Sequence, residues 1–142
     1  MPLAALPPPA IVQPVELTRD NLNALESVQS RINAQIAFAP DIETYGQEEY
    51  WAVGETKGDC EDYALAKLKL LRRMGWPKGA LDLAIGAYKG EWHTVLIVHT
   101  DQGDIALDNS RPRPINWRML SGYDWLMTSV GGSFRTWRKI DA

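Results

Sequence analysis

The chain has 142 residues, with 15 Lys and Arg against 18 Asp and Glu, a net charge of −3, two histidines and a single cysteine. That length holds one domain around one core, the acidic balance argues against a nucleic-acid-binding face, and no apolar run reaches the roughly 18 residues needed to cross a bilayer. One cysteine excludes an intrachain disulfide and a Cys-rich zinc site, so Cys60 acts as a free thiol.

Residues 1–16 carry five prolines and almost no charge. Proline locks φ and removes amide donors, so the segment is read as an extended arm or linker. A signal peptide is the rival reading, but the basic start and continuous apolar run that one needs are missing. The trimmed start of a mature exported protein also fits. Residues 17–142 are read as a single domain.

From Thr18 the pattern is helical: Leu22, Leu25, Val28, Ile32 and Ile36 recur at steps of three and four. Thr18 is the expected N-cap, and Pro40 stands just past the expected end. Residues 41–57, with Tyr45, Tyr50 and Trp51, read as an irregular surface segment with aromatic anchors. A second helix starts near Cys60 and carries Leu65, Leu68, Leu71 and Met74 on its apolar face, widened by Ala64, Ala66 and Leu70. Lys67, Lys69, Arg72 and Arg73 are expected on its solvated side. Gly75 and Pro77 are its stop signals.

Beyond Pro77 the period changes to that of strands. Leu81 to Tyr88, His93 to His99 and Asp104 to Asp108 read as three of them, with turn chemistry at Lys89-Gly90-Glu91 and Asp101-Gln102-Gly103. A short helix is expected over 115–128 and a closing strand over 133–140. The predicted fold class is α+β, with helices segregated from an antiparallel meander.

Three of these positions suit chemistry. Cys60 opens a helix, where the macrodipole and unpaired amides favour the thiolate, the nucleophilic form. His93 opens a strand, and Asp108 closes the next; a loop of four or five residues between them sets His93 opposite positions near 108 to 110. Asp108 is then placed to orient the His93 ring, as the acid of a nucleophile–base–acid triad does. Each residue also has an ordinary reading. A lone cysteine often fills core, a strand histidine is often structural, and Asp108-Asn109 also suits a strand-ending turn. His99, at a loop end, is expected to be solvated.

The strings Gly58-Asp59-Cys60-Glu61-Asp62-Tyr63-Ala64, Trp92-His93-Thr94-Val95-Leu96 and Ala106-Leu107-Asp108-Asn109 resemble the bacterial transglutaminase-like cysteine peptidases, a family that includes the LapG-type proteases of bacterial surface adhesins. The resemblance spans about residues 28 to 117. It implies a papain-like/transglutaminase-like fold, with the nucleophile helix packed on an antiparallel sheet, and a Cys60-His93-Asp108 triad that cleaves a protein substrate through a thioester. The Cys60 backbone N–H at the helix start is the expected oxyanion donor.

The acidic trio Asp59, Glu61 and Asp62 has two readings. Carboxylates in a first helical turn stabilise the dipole by about 0.3–1 kcal/mol each. The resemblance adds calcium, for which hard oxygen ligands are suited, and a cation there would relieve three anions beside the nucleophile. No organic cofactor is expected. Trp51 and Trp92 are candidates to line a substrate cleft; the other tryptophans read as packing. Expected partners are a protein substrate, such as a bacterial surface protein, and a regulatory protein. The compartment would be the periplasm for an exported protein, otherwise the cytoplasm or a phage. Two alternatives stay open: transfer of the acyl group to an amine in place of water, and a catalytically silent binding module of the same fold.

Overall fold

A computed structural model of the chain describes residues 11–35, 37–38, 57–58 and 60–140. Residues 41–56 of the expected irregular segment, with Tyr45, Tyr50 and Trp51, lie outside the described residues, as do Ile36, Pro40 and Asp59. Helix α1 (Arg19–Gln35) is capped as its sequence predicts, the Thr18 hydroxyl oxygen accepting from the Asn21 N–H at 3.1 Å. It buries Leu25, Val28 and Ile32 and, on the same stripe, the polar Gln29. Two short parallel strands, β1 (Ala37–Phe38) and β2 (Lys57–Gly58), lead to helix α2 (Cys60–Arg73).

Helix α2 ends where its sequence says it should. Gly75, at φ +97°, lets Trp76 N–H reach back to the Leu71 carbonyl at 3.0 Å, and Gly75 N–H to that of Arg72 at 3.1 Å. Two expectations for this helix are overturned, the first being Met74, which lies just past the helix end and is exposed rather than on the apolar face. Lys69, Arg72 and Arg73 face water, but Lys67 is fully buried. The cause is its register: position 67 lies three to four residues from Tyr63, Ala64 and Leu71, all on the inward face.

The rest of the chain forms a six-stranded antiparallel sheet in the order β6-β5-β4-β3-β7-β8. Its members are β3 (Leu81–Tyr88), β4 (Glu91–Thr100), β5 (Gly103–Leu107), β6 (Ile115–Asn116), β7 (Tyr123–Val130) and β8 (Ser133–Lys139). β3 and β4 are joined by Lys89 and Gly90, both at positive φ (52° and 81°), a backbone whose twist matches a two-residue hairpin. The expected helix over 115–128 does not form. A single 3-10 turn at Trp117–Met119 is followed directly by β7. Tyr123 and Trp125 alternate with exposed Asp124 and Leu126, and Trp117, Trp125 and Tyr123 stack in series at 4.3 and 4.4 Å between ring centres. That stack requires a two-residue period.

The main core lies between the helices and one face of the sheet, where Leu25, Val28, Leu71, Leu83, Leu96 and Leu107 meet. Each such side chain contributes about 1.5–3 kcal/mol by leaving water. A smaller cluster of Ala84, Val95, Ile97, Ala106 and Leu120 fills the other face. The described end of the N-terminal segment runs beside the sheet: Val15 N–H donates to the His99 carbonyl, and Asp101 N–H to that of Val15, both at 3.0 Å. No helix among the described residues is long and apolar enough to cross a membrane.

Candidate active site

β5 leaves the ladder early. Its last pair is Leu107 with Leu96, whereas β4 runs on to Glu91. Past that pair the outward backbone groups of β4 lack a strand neighbour on that side among the described residues. The start of α2 supplies the partner: Cys60 Sγ accepts from the Thr94 N–H at 3.3 Å and lies 3.9 Å from the Trp92 carbonyl oxygen. The half-buried cysteine thus sits against the open edge of the strand that carries His93.

Extending the β4–β5 register sets His93 opposite residue 110, so Asp108 reaches it on the diagonal. His93 Nε2 is 2.8 Å from Asp108 Oδ1, which leaves Nδ1 to exchange a proton with Cys60. Burial works against a charged ring, but hydrogen bonds to Asp108 and to Cys60 prevail and raise the His93 pKa to about 9. Tyr88 and Tyr123 flank the imidazole, with ring centres 5.9 and 5.6 Å away.

Asp108 has no exposed surface. Such burial would raise its pKa, yet donors outweigh it and bring the carboxyl down to about 2. These are His93 and Ser110 N–H (2.9 Å) on Oδ1, and the Tyr123 hydroxyl on Oδ2. Below the carboxylate, Gln29 Nε2 of α1 donates to the carbonyls of Asp108 (2.7 Å) and Arg111 (2.9 Å), and Asn33 Nδ2 to that of Arg111 (3.1 Å). The first helix therefore holds the turn that holds the carboxylate. Lys67 Nζ is buried with no hydrogen-bond partner among the described residues. Burial lowers its pKa to about 7, against the attraction of Asp108.

The structure thus brings Cys60, His93 and Asp108 to one place. Of the acidic trio, Asp59 lies outside the described residues, Asp62 is buried, and half-buried Glu61 lines a groove beside the sheet. Among the described residues no group of three or more His, Cys, Asp or Glu side chains converges as metal ligands would. Trp92 is 66% exposed next to His93, and Trp51 is outside the described residues. His99 is not solvated as expected: Asp82 (2.7 Å) and Asp104 (2.8 Å) hold its two nitrogens. Burial opposes its charge, but those two bonds raise its pKa to about 9. Asp82 is fixed in turn by Ser129 Oγ at 2.6 Å and by the Gly131 and Gly132 amides.

Several residues of the site were not singled out from sequence, Gln29, Lys67 and Tyr123 among them. Gln29 and Lys67 were detectable, since each is a polar residue on an otherwise apolar helical stripe. Tyr123 carries no such signal.

A cysteine heading a helix that packs on an antiparallel sheet bearing histidine and aspartate makes this an α+β fold of the transglutaminase-like class. The family model for bacterial transglutaminase-like cysteine proteinases (BTLCP) matches residues 9–142, and the chain belongs to that family. No curated protein matches the chain. Among solved structures, calcium-bound LapG of Legionella pneumophila is similar, with a TM-score of 0.65 and 22% identity over 80% of this chain and 66% of that one. A second structure of Legionella pneumophila LapG has a TM-score of 0.62 and 23% identity over 73% of this chain and 62% of that one. An EGTA-treated form has a TM-score of 0.62 and 23% identity, over 73% and 60%. The chain spans just under two thirds of the length of these LapG chains.

Proposed function

We propose that the protein is a cysteine endopeptidase that hydrolyses a protein substrate with Cys60 as nucleophile, His93 as acid and base, and Asp108 as the group that orients His93. The observation that carries this reading is the 2.8 Å contact of His93 Nε2 with a fully buried Asp108, beside a cysteine seated on the same strand's edge. His93 Nδ1 takes the thiol proton and the sulfur attacks the peptide carbonyl carbon. The tetrahedral oxyanion is met by the Cys60 backbone N–H at the helix start. Collapse breaks the C–N bond, and His93 returns its proton to the departing amine. Water then attacks the thioester, giving its proton to His93, and the free carboxylate leaves as the thiol is restored.

Calcium belongs to this proposal. Asp59, Glu61 and Asp62 would supply the hard carboxylate oxygens it takes, and two LapG structures are described as calcium-bound and EGTA-treated. A divalent cation there would offset the negative charge that these three residues bring, in sequence, to the start of the nucleophile helix. The substrate we propose is a bacterial surface protein and the compartment the periplasm, both from the resemblance to LapG-type proteases.

The test is the rate of Cys60 alkylation by iodoacetamide at pH 7.5, with cleavage of unfolded casein measured alongside. Wild type is expected to react fast, and His93→Ala at least tenfold more slowly, with casein cleavage lost in both His93→Ala and Cys60→Ser. A rate untouched by His93→Ala, together with intact casein, would overturn the reading.

A further inference from the structure

Helix α2 leaves part of the sheet face beneath it uncovered. Between the helix and β8 runs a groove of about 360 Å³, walled by Leu65, Leu83, Ile85, Phe134 and Trp137. It adjoins the candidate active site, since Glu61 and Thr94 also line it. Glu61 follows Cys60 directly, and Thr94 donates its N–H to the Cys60 sulfur.

The two aromatic walls are not accidents of a strand pattern. Phe134 and Trp137 are three residues apart, and on a regular strand they would point to opposite faces. The β7–β8 register breaks here: Ser129 pairs with Trp137 and Val130 with Ser133, so one step on β7 is matched by four on β8. That irregularity turns both rings into the groove, as bulges next to functional sites do. The Trp137 indole is then fixed by its Nε1–H on the Phe134 carbonyl at 2.7 Å. Phe134 and Trp137 remain 44% and 37% exposed on an edge strand that is otherwise polar, with Arg135, Thr136, Arg138 and Lys139. Among the groove's lining residues only Glu61 is charged.

We propose that this groove is a subsite for a bulky apolar side chain of the polypeptide that Cys60 attacks, with Phe134 and Trp137 as the residues that set the preference. The proposal rests on the peptidase reading above. Adjacency to the nucleophile through Glu61 and Thr94 identifies the occupant, since a chain whose carbonyl lies at the sulfur advances about 3.3 Å per residue and reaches this groove within its neighbouring positions. The volume admits an aromatic or large aliphatic group.

The experiment needs no known substrate. Cys60 alkylation is timed with iodoacetamide, N-hexyl-iodoacetamide and N-(2-phenylethyl)-iodoacetamide in wild type, Phe134→Ser, Trp137→Ser and Trp137→Phe. Wild type is expected to prefer the two apolar reagents over iodoacetamide about tenfold or more, the scale of pocket discrimination between apolar groups. That ratio is expected to collapse toward one in both serine variants and to persist in Trp137→Phe. A wild-type ratio near one, or a ratio that survives both serine substitutions, would overturn the subsite. Failure of the peptidase reading gives a different sign, namely an iodoacetamide rate that His93→Ala leaves unchanged. Circular dichroism of the variants, which alter exposed residues, checks that the fold is kept.

Discussion

Tyr123 donates its hydroxyl proton to Oδ2 of Asp108, the carboxylate oxygen opposite the one that faces His93. The two strands that frame the imidazole thus meet through a third residue, and the aspartate is gripped from both ends. Tyr123 itself sits in a stack with Tyr88 and Trp125, at 4.5 and 4.4 Å between ring centres, so its hydroxyl has little freedom to leave.

Tyr123→Phe keeps the stack and removes the donor. A hydrogen bond to a charged group is worth about 1.5–3 kcal/mol, and the Asp108 carboxyl is expected to rise from about 2 toward its ordinary value. A carboxyl whose pKa is depressed in the folded state contributes stability above its unfolded value, and that contribution is lost as pH falls through the folded one. The variant should therefore unfold in acid at a higher pH than wild type, as ellipticity between pH 2 and 5 would record. If the midpoint does not move, Tyr123 does not hold Asp108.

Gln29→Met tests the support beneath the turn. It preserves volume on α1 but removes donors to the carbonyls of Asp108 and Arg111. Urea denaturation should give a loss of about 0.5–1.5 kcal/mol, the net worth of an ordinary hydrogen bond, because Asn33 still donates to the Arg111 carbonyl and the Arg111 N–H to that of Asp108. Alkylation of Cys60 should slow as well, because the turn that carries Asp108 is freed. Lost stability with an unchanged rate would confine Gln29 to a structural role.

Alkaline behaviour sets two histidines against one lysine. His93 and His99 are raised to about 9 when folded, so their contribution is complete below about 6.5 and is lost as pH rises through 9. Lys67 is lowered to about 7. For it the unfolded chain binds more protons between pH 7 and the lysine model value of 10.5, so stability rises with pH there. Lys67→Met should thus be at least as stable as wild type at pH 6.5 and lose more between pH 6.5 and 9.5. His99→Asn should lose less over the same range. Urea midpoints at the two pH values decide it, and equal slopes in all three proteins would contradict the assignment.

Calcium is read from melting temperature and alkylation rate in 1 mM calcium and in EGTA. Calcium is expected to raise both in wild type, and Asp62→Asn to diminish both responses. Identical curves with and without the ion would exclude a role for it here.

What was legible in the sequence follows from how far each signal reaches. Helical stripes such as Leu25, Val28 and Ile32, or the Gly75 stop, depend on neighbours a turn away, and they emerged with their boundaries nearly intact. The placement of His93 near Asp108 needed only a hairpin register, which holds although the loop is tighter than expected: Thr100 pairs with Gly103, leaving two residues between them in place of four or five. β7 was misread as helix because exposed Leu126 interrupts its alternation, and the decisive partner, Trp117, is a long-range packing contact. Lys67 is expected in water for its charge, and His99 for its place at a loop end. Tertiary partners overrode that preference: the inward face of α2 for one and a pair of aspartates for the other.

The early exit of β5 from the ladder reaches beyond geometry. The atoms that seat the Cys60 sulfur are the Thr94 amide and the Trp92 carbonyl, and both belong to the main chain. Mutation at positions 92 and 94 changes what projects from the strand and leaves those two groups in place. The nucleophile's seat is therefore insulated from drift at the very residues that border it, and the surroundings of the sulfur are free to diversify toward new substrates while its location stays put.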